Sequence, residues 1–276
     1  MNRRLFLKAT MAAVGSSPLV AASYGLFEAG WVKIDRPTLP LPRLPRSFDG
    51  TRVAFLTDIH HGPFTNLDFV TAVVRTTLAL EPDLILLGGD YILREKKYVS
   101  PCFDVLSALR APLGVYGVLG NHDNWIAPRE TRAAMKAAGI VELTNTGEWI
   151  NRGNDRFRLA GVDDLWTGLV DVESALGYAT EHDACLLMSH NPDVAEGLSD
   201  RRVGLMLSGH THGGQVVLPM VDSAPWIPSR YGQKYQRGLV QAPATRVYVS
   251  CGLGTSGIPI RIGARPEINL ITLAAC

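Results

Sequence analysis

The sequence predicts an α/β fold in which two mixed β-sheets pack face to face and helices cover their outer sides. In the first half of the chain, short apolar runs rich in β-branched residues alternate with segments that have apolar residues at helical spacing. This alternation is typical of strand–helix–strand units with parallel pairing. The second half carries more strand-like runs and fewer helical ones. It therefore indicates a second, more mixed sheet that packs on the first.

The elements of the first half follow one another from residue 52. A buried strand is predicted over 52–57, and Asn66 is a suitable N-cap for a helix over 67–80. Pro82 ends that helix, because the residue before a proline disfavours helical geometry, and a second buried strand follows over 83–87. The remaining elements of this half are a short helix over 103–109, a strand over 114–119 and a helix over 129–138 that ends at Gly139.

The second half is predicted to consist mainly of strands. Its apolar runs are short and are bounded by turn-forming residues, which favours strands over helices. The predicted strands lie near 141–143, 157–161, 184–188, 203–207, 246–249 and 269–273.

Composition places the chain among globular proteins. An apolar fraction of 46% and a charged fraction of 19% exclude a disordered chain and a membrane-filling one. The net charge of +1 supplies no basic field for nucleic acid, so no nucleic-acid partner is expected. Of the four cysteines, Cys102, Cys185 and Cys251 lie in apolar surroundings and are expected to be buried free thiols. A Cys185–Cys251 disulfide stays open, because spacing alone cannot decide it.

The first 32 residues are expected to be a targeting segment. Residues 2–8, Asn-Arg-Arg-Leu-Phe-Leu-Lys, resemble the twin-arginine export signal, and an apolar, Ala-rich stretch follows them. The resemblance implies recognition by the twin-arginine export machinery and a location in the periplasm or cell envelope. Cleavage near Ala21-Ala22-Ser23 and retention as a membrane anchor both stay open, because the apolar run is near spanning length. The alternative is a frayed amphipathic helix.

Residues 33–50 are predicted to form an extended, Pro-rich linker. No internal repeat or low-complexity tract follows in the sequence. The chain is therefore divided into a signal or anchor at 1–32, a linker at 33–50 and one folded domain at 51–276.

Six of the seven histidines fall inside five short blocks, each of which follows a predicted strand, whereas His182 is expected at the surface. Ligands of open α/β sheets bind beyond the carboxyl ends of the strands, so the blocks are expected to converge. Imidazole and carboxylate groups hold transition metals, which predicts a two-metal hydrolytic site. The blocks are Asp58-Ile59-His60-His61-Gly62, Gly88-Gly89-Asp90, Gly120-Asn121-His122-Asp123, Ser189-His190 and Gly209-His210-Thr211-His212-Gly213-Gly214.

These ordered blocks resemble the signature of the calcineurin-like metallophosphoesterase superfamily: Asp-x-His, Gly-Asp, Gly-Asn-His-Asp/Glu, a lone His and Gly-His-x-His. They span roughly 52–215, about 60% of the chain. The segments 248–254 and 259–261, with Pro266-Glu267, resemble the bacterial exported branch of that family. The resemblance implies a four-layer α/β/β/α sandwich and a site for two divalent metal ions, which can be Mn²⁺, Fe or Zn²⁺.

The resemblance also assigns the metal ligands, with Asp90 shared by both ions. They are Asp58, His60, Asp90 and His212 for one ion, and Asp90, Asn121, His190 and His210 for the other. Taken singly, the aspartates could be turn formers at strand ends, Asn121 a left-handed turn residue, and the histidines satisfied core or surface residues.

His122 and Asp123 are the predicted catalytic residues. In the family, the residue that matches His122 acts on the phosphate or the leaving group, and Asp123 beside it would orient the ring and raise its pKa. His61 could equally face the site or be a surface neighbour. For Arg94 and Arg261, phosphate binding competes with a solvated position on the surface.

The expected reaction is metal-assisted hydrolysis of a phosphoester, as in a phosphodiesterase or phosphatase. Hydroxide held between the two metal ions would attack phosphorus in line, and His122 would protonate the departing alkoxide. Serine-hydrolase and P-loop mechanisms lack support, because the sequence has no Gly-x-Ser-x-Gly elbow and no phosphate-binding glycine loop. The phosphoester substrate stays open among small molecules and lipid-linked ones.

Two other interpretations stay open. One is a pyrophosphate hydrolase of a nucleotide-linked lipid or envelope precursor such as UDP-2,3-diacylglucosamine, on which some relatives act. An apolar groove lined by Trp125, Trp166 and Trp226 would favour it, although core or rim positions also suit these residues. The other is a binding scaffold that keeps the fold without catalysis, against which the complete ligand set argues.

Overall fold

The computed structural model describes residues 18–218 and 220–276. In these residues two sheets pack face to face with helices on both outer sides, so the predicted fold class is confirmed. The twin-arginine run at 2–8 lies outside the described residues. Among the helices of the described part, none combines the length and the apolar character needed to cross a membrane.

The strands and helices are numbered in chain order. The strands are β1 (Lys33–Asp35), β2 (Thr38–Leu41), β3 (Arg52–Leu56), β4 (Leu84–Leu87), β5 (Val115–Gly117), β6 (Val141–Glu142), β7 (Thr146–Arg152), β8 (Asp155–Gly161), β9 (Cys185–Met188), β10 (Val203–Ser208), β11 (Gly238–Gln241), β12 (Arg246–Val249) and β13 (Glu267–Ala275). The helices are α1 (Pro18–Ala29), α2 (Leu67–Ala79), α3 (Val99–Leu106), α4 (Asn121–Ile126), α5 (Pro128–Ala137), α6 (Val172–Leu176) and α7 (Val194–Gly197).

The inner strands of both sheets are mostly parallel. The first runs β1–β13–β3–β4–β5–β6, with β2 also paired to β13; β3 to β6 are parallel, and β13 is antiparallel to β3. The second runs β11–β12–β10–β9–β8–β7, with β8, β9, β10 and β12 parallel and the two outer strands antiparallel. Consecutive parallel strands therefore end at a common edge in each sheet.

The hydrophobic core has three layers that follow the alternation of side chains along each strand. In β3, Val53 and Phe55 pack between the two sheets, whereas Ala54 and Leu56 pack under α2 and α3 on the outer side. The outer side of the second sheet is covered by α6 and α7. Apart from Arg52 at the start of β3, the residues of β3, β4 and β9 are apolar, as the sequence predicted, because these strands are buried on both faces.

The prediction of an extended linker over 33–50 is wrong. β1 and β2 both pair with β13, and Leu39 and Leu41 are buried between the sheets. Pro40 is tolerated because β2 pairs with a neighbouring strand on one side, β13. The N–H group that proline lacks is therefore not required for the hydrogen bonds of the sheet. Within 18–32, α1 also packs against the folded part of the chain.

Most other elements agree with the prediction within a few residues. Asn66 caps α2 as expected, because its Oδ1 accepts a hydrogen bond from the N–H of Phe69 at 2.9 Å. The helix predicted over 103–109 begins earlier, at Val99. The strands β7 and β11 and the short helices α4, α6 and α7 were not predicted. All four cysteines in the described part of the chain are free thiols, and Cys102, Cys185 and Cys251 are buried as expected.

Candidate metal centre

The five sequence blocks converge where strands of both sheets end. Asp58 and Asp90 follow β3 and β4, Asn121 begins α4 after β5, and His190 and His210 follow β9 and β10. All of these side chains are buried. The structure thus brings the five blocks together at the carboxyl ends of the strands, as the sequence predicted.

Five of the seven predicted metal ligands have a left-handed backbone conformation. A positive φ costs a residue with a Cβ atom roughly 1–2 kcal/mol, and residues strained in this way collect at functional sites. They are Asp58 (φ 54°), His60 (48°), Asp90 (56°), His210 (69°) and His212 (53°). The backbone is thus strained at the positions that direct these side chains to one region.

Asp58, His60 and His212 form one cluster of potential ligand atoms, which lie within 4.8 Å of one another. Nε2 of His212 is 3.1 Å from Nε2 of His60 and 3.3 Å from Oδ1 of Asp58. The carboxylate of Asp58 accepts hydrogen bonds from the hydroxyl of Thr57 at 2.8 Å and from the N–H of His210 at 3.0 Å. These bonds fix the orientation of the carboxylate.

Asp90, His190 and His210 form a second cluster. Nε2 of His190 is 3.2 Å from Oδ2 of Asp90 and 3.2 Å from Nδ1 of His210. The same Oδ2 is 3.4 Å from Nε2 of His60, so Asp90 lies between the two clusters. Nδ1 of His190 donates to the carbonyl of Gly88 at 2.8 Å, which turns Nε2 towards Asp90.

The donor set fits divalent cations. Oδ1 of Asn121 and Nε2 of His210 are buried and have no hydrogen-bond partner within residues 18–218 and 220–276. Asn121 lines the same cavity as Asp90 and His210. Buried polar atoms of this kind require an explanation such as a bound ion, and mixed carboxylate, imidazole and amide ligands suit transition metals. The cluster is consistent with a dinuclear divalent metal centre.

Burial and mutual charge set the protonation of the cluster. Burial lowers the pKa of His60 and His210 to about 3, and it also lowers the pKa of His212 well below its ordinary value. Burial opposes the charge of His190 too, but the carboxylate of Asp90 outweighs it and raises the pKa of His190 well above the usual range. Against the effect of burial, His190 in turn keeps the pKa of Asp90 low. A cation bound to Nε2 of His190 would compete with a proton on that nitrogen.

His122 lies between the clusters and the solvent. Its N–H donates to Oδ1 of Asp90 at 2.8 Å, and its half-buried ring packs edge-on against His60, with the ring centroids 4.8 Å apart. On its other side the ring contacts Trp125, at 5.4 Å between centroids. A ring nitrogen of His122 lies within 4.8 Å of ligand atoms of His60 and Asp90. The imidazole is therefore placed to reach a group bound at the clusters.

The expected contact between Asp123 and His122 is absent from the hydrogen bonds of the described chain. Asp123 is completely buried, and its Oδ2 accepts from the N–H groups of Asp90 at 2.7 Å and Gly120 at 2.9 Å. Its Oδ1 accepts from the N–H of Tyr91 at 2.9 Å. The side chain thus joins the turn after β4 to the turn before α4, which corrects its predicted role as the orienter of His122.

Other residues singled out in the sequence lie outside the clusters. His61 is buried, and its Nδ1 is 2.8 Å from the carbonyl of Thr65. His182 is at the surface as predicted. Arg94 is also exposed and covers the ring of Phe64, in agreement with the solvated alternative.

Arg261 is neither at the surface nor open to phosphate. Its side chain is fully buried, and its guanidinium donates to the carbonyls of Gly254 at 3.0 Å and Ala264 at 2.7 Å. Nη2 lies 3.2 Å from Nδ1 of His212. Both alternatives considered for Arg261 from the sequence are therefore wrong, because it lies behind the clusters.

A cavity of about 500 Å³ opens beside the clusters, and Trp125, Trp166 and Trp226 all line it. The ring of Trp166 packs edge-on against His210 at 4.3 Å between centroids, and Trp125 stacks on Trp166 at 6.2 Å. Trp226 is 72% exposed, so it stands at the mouth. Imidazole groups form the base of the cavity, and aromatic surfaces form its walls.

Sequence reasoning missed the lining residues that lie outside the five blocks. Residues 215–228 match no recognised motif, and their only signal is a run of apolar residues and prolines without strand or helix periodicity. Residues 256–258 fall between the two segments, 248–254 and 259–261, that resemble the exported branch of the family. The missed lining residues are Gln215, Val216, Pro225, Pro228, Ser256, Gly257 and Ile258.

The chain is similar to several known proteins. The family model of calcineurin-like phosphoesterases matches residues 51–214. The chain is 32% identical to the uncharacterized metallophosphoesterase YkuE of Bacillus subtilis, over 99% of this chain and 98% of that protein. It is also 32% identical to phosphodiesterase YaeI of Escherichia coli, over 99% of each chain. A solved structure, a 5′-nucleotidase precursor from Thermus thermophilus, is similar over 80% of this chain and 54% of that chain, with 15% identity and a TM-score of 0.48.

The match of the family model covers more than half of the chain, and the two bacterial relatives extend the similarity to almost all of it. The residues that make up the sequence blocks also make up the buried clusters. The chain therefore belongs to the calcineurin-like phosphoesterase family, whose members hydrolyse phosphoester bonds.

Proposed function

We propose that the protein hydrolyses a phosphoester with two divalent metal ions, and that His122 protonates the leaving group. The observation that carries the proposal is the convergence of seven carboxylate, imidazole and amide side chains, four of which (Asp90, Asn121, His210 and His212) line a cavity of about 500 Å³. The side chains proposed to hold the ions are Asp58, His60, Asp90, Asn121, His190, His210 and His212.

Asp90 is proposed as the ligand common to both ions. Its Oδ2 lies 3.4 Å from Nε2 of His60 and 3.2 Å from Nε2 of His190, so one carboxylate faces both clusters. When bound, a pair of divalent cations activates water as a nucleophile and stabilises charge on the phosphoryl oxygens. The protein fixes the ligands in advance, because the hydroxyl of Thr57 donates to Asp58 and Nδ1 of His190 donates to the carbonyl of Gly88, and neither partner is a proposed ligand.

His122 is proposed as the proton donor because its position differs from that of the buried histidines. Its backbone is held by Asp90, while its half-buried ring lines the cavity. A general acid must lie within hydrogen-bond reach of the leaving oxygen, and a ring beside the clusters can meet this requirement. Packing against His60 and Trp125 restricts the rotation of the ring.

Hydrolysis of bis(p-nitrophenyl) phosphate tests the proposal directly. We expect turnover with added Mn²⁺ and loss of turnover after treatment with EDTA, followed by recovery when Mn²⁺, Fe²⁺ or Zn²⁺ is returned. Comparing the three recoveries identifies the preferred metal. A well-folded protein that binds metal but shows no metal-dependent turnover would support the scaffold alternative.

A second candidate is hydrolysis of a phosphoester or pyrophosphate that carries a large apolar group, such as a lipid-linked precursor. The tryptophan walls of the cavity favour it, since aromatic surfaces bind apolar and ring-shaped groups. We expect Trp125→Ala and Trp226→Ala to raise KM for p-nitrophenyl esters with an added alkyl or aryl chain. The KM for small methyl esters should change less, and equal effects on both substrates would argue against an apolar subsite.

Export and envelope localisation stay predictions that depend on residues 2–8. Replacing Arg3 and Arg4 by lysine tests them, because the twin-arginine pair is the feature that the export machinery would recognise. We expect the Lys-Lys variant to remain in the cytoplasmic fraction while the parent protein is found in the envelope fraction. An unchanged distribution would contradict export by this route.

A further inference from the structure

The N-terminal helix α1 is attached to the segment that carries Arg261. The carbonyl of Gly25 accepts a hydrogen bond from the N–H of Arg261 at 3.0 Å. The helix approaches so closely that a Cβ atom on Gly25 would lie 2.9 Å from Cβ of Ile260. One turn further on, Glu28 is 1% exposed, and its Oε1 accepts from the N–H of Ala264 at 3.1 Å. Two positions of α1 therefore hold both ends of the segment 260–264.

Arg261 extends this attachment to a proposed metal ligand. Its guanidinium is fully buried, donates to the carbonyls of Gly254 and Ala264, and lies 3.2 Å from Nδ1 of His212. The other ring nitrogen of His212, Nε2, is 3.3 Å from Oδ1 of Asp58. The ring of His212 therefore lies between the ligand cluster on one side and the guanidinium of Arg261 on the other.

We propose that α1 is a positioning element of the metal centre, which acts through Arg261 on the ring of His212. This inference rests on the proposed role of His212 as a metal ligand. Arg261 touches neither the cavity nor a substrate, so it is a positioning residue and not a catalytic one.

The physical reason lies in the surroundings of Arg261. A buried guanidinium is stable only while carbonyl groups or charges meet its donors, so its position depends on where those carbonyls are held. The carbonyls of Gly254 and Ala264 belong to a connection without long strands or helices, between β12 and β13. This connection is fixed from outside, by α1 on one side and by the side chain of Gln215, which bonds the carbonyls of Ser256 and Ile258, on the other.

Substitution of Gly25 by alanine in the full chain tests the proposal. Alanine favours a helix over glycine by about 1 kcal/mol, so any loss cannot come from a weaker helix. The added Cβ must displace Ile260 and, with it, Arg261. Gly30→Ala is the matched control, because a Cβ atom there meets only the carbonyl of Phe27, at 3.7 Å.

We expect Gly25→Ala to weaken Mn²⁺ binding by about 10- to 100-fold, the usual effect of disturbing a residue that orients a metal ligand. The visible spectrum of the Co²⁺-loaded protein should also change, because one ligand is displaced. Gly30→Ala should match the parent protein in both measurements. Far-UV circular dichroism and the thermal midpoint of the metal-free variants verify that both are folded.

A double-mutant cycle with Arg261→Met tests the proposed route. If α1 acts through Arg261, then Gly25→Ala combined with Arg261→Met should lose no more Mn²⁺ affinity than Arg261→Met alone. Additive losses, or unchanged affinity in a folded Gly25→Ala variant, would overturn the inference while leaving the metal centre intact. Failure of the parent protein to bind Mn²⁺, Fe²⁺ or Zn²⁺ would instead overturn the proposed metal centre and, with it, this inference.

Discussion

The two ends of the central strands use the same kinds of side chain in opposite ways. At the amino ends, charged groups are paired near the surface. Arg202, just before β10, donates to both carboxylate oxygens of Asp200 and to the carbonyl of Ala179. Asp83, just before β4, accepts from the N–H of Arg52 at 2.8 Å. Arg202 and Asp83 thus each have hydrogen-bond partners at this end.

At the carboxyl ends, aspartates and histidines are buried against one another. Oδ1 of Asn121 and Nε2 of His210 have no partner in the described residues, and five proposed ligands have a positive φ. Such an arrangement costs stability without a cation, because buried polar atoms lose water and the backbone is strained. The amino ends therefore serve the stability of the fold, and the carboxyl ends serve ligand binding.

Asp90→Asn is expected to have the largest effect, because this side chain faces both clusters. An amide supplies one neutral oxygen where the carboxylate supplies two charged ones, so the binding of both ions should be weakened together. Metal analysis of the purified variant should show less than the parent's metal content at every concentration of added Mn²⁺, and turnover should fall below that of any other single variant. Loss of one ion with the other fully retained would contradict the shared position of Asp90.

His122→Ala should reduce turnover by about 10²–10⁴-fold while the metal content stays that of the parent, which is the usual scale for a general acid. The loss should be smaller for p-nitrophenyl esters than for alkyl esters, because a good leaving group needs less protonation. Equal losses on both substrates would assign His122 to binding the phosphoryl group instead. Normal turnover with both ions bound would exclude either role.

Asp123→Asn tests the corrected role of this residue. The three backbone N–H groups that meet its carboxylate would face an amide, and at least one would lose its acceptor. We expect the free energy of unfolding of the metal-free protein to fall by about 1–3 kcal/mol, the cost of a buried unsatisfied group. Urea denaturation measures the change. A variant with parental stability and an altered pH profile of turnover would restore the original interpretation, in which Asp123 orients His122.

The sequence predicted the parts of the molecule that local patterns encode. Apolar runs such as 52–57 are buried on both faces, and a polar residue directly after such a run marks the edge where ligands bind. The five blocks could therefore be assigned to one site before any distance was known.

Elements that depend on distant pairing could not be predicted. β2 contains Pro40 and is only four residues long, so its local signal is weak, and its pairing with β13 makes it a strand. Asp123 follows His122 directly, which suggested a contact, but the turn geometry directs its carboxylate to backbone N–H groups. Arg261 is separated from its partner by 49 residues, and neither its burial nor its contact with His212 has a local signal.

Arg202→Met is expected to have the smallest effect. It tests the amino ends of the strands, where charged groups stabilise the fold and do not bind metal. Turnover and metal content should equal those of the parent, because the residue lies at the opposite end of β10 from His210. Stability should fall by about 1 kcal/mol at neutral pH, the upper range for an accessible ion pair.

The hydrogen bond from Arg202 lowers the pKa of Asp200 below its ordinary 3.8, so the pair stabilises the native state fully above that pH. As the pH falls through the lowered native pKa, the carboxylate is protonated, and the difference between parent and variant should shrink to the contribution of the hydrogen bond to the carbonyl of Ala179, which does not titrate. Urea denaturation between pH 7 and pH 2.5 measures this decrease. A stability difference that is the same at both ends of this range would mean that Arg202 does not act through the charge of Asp200.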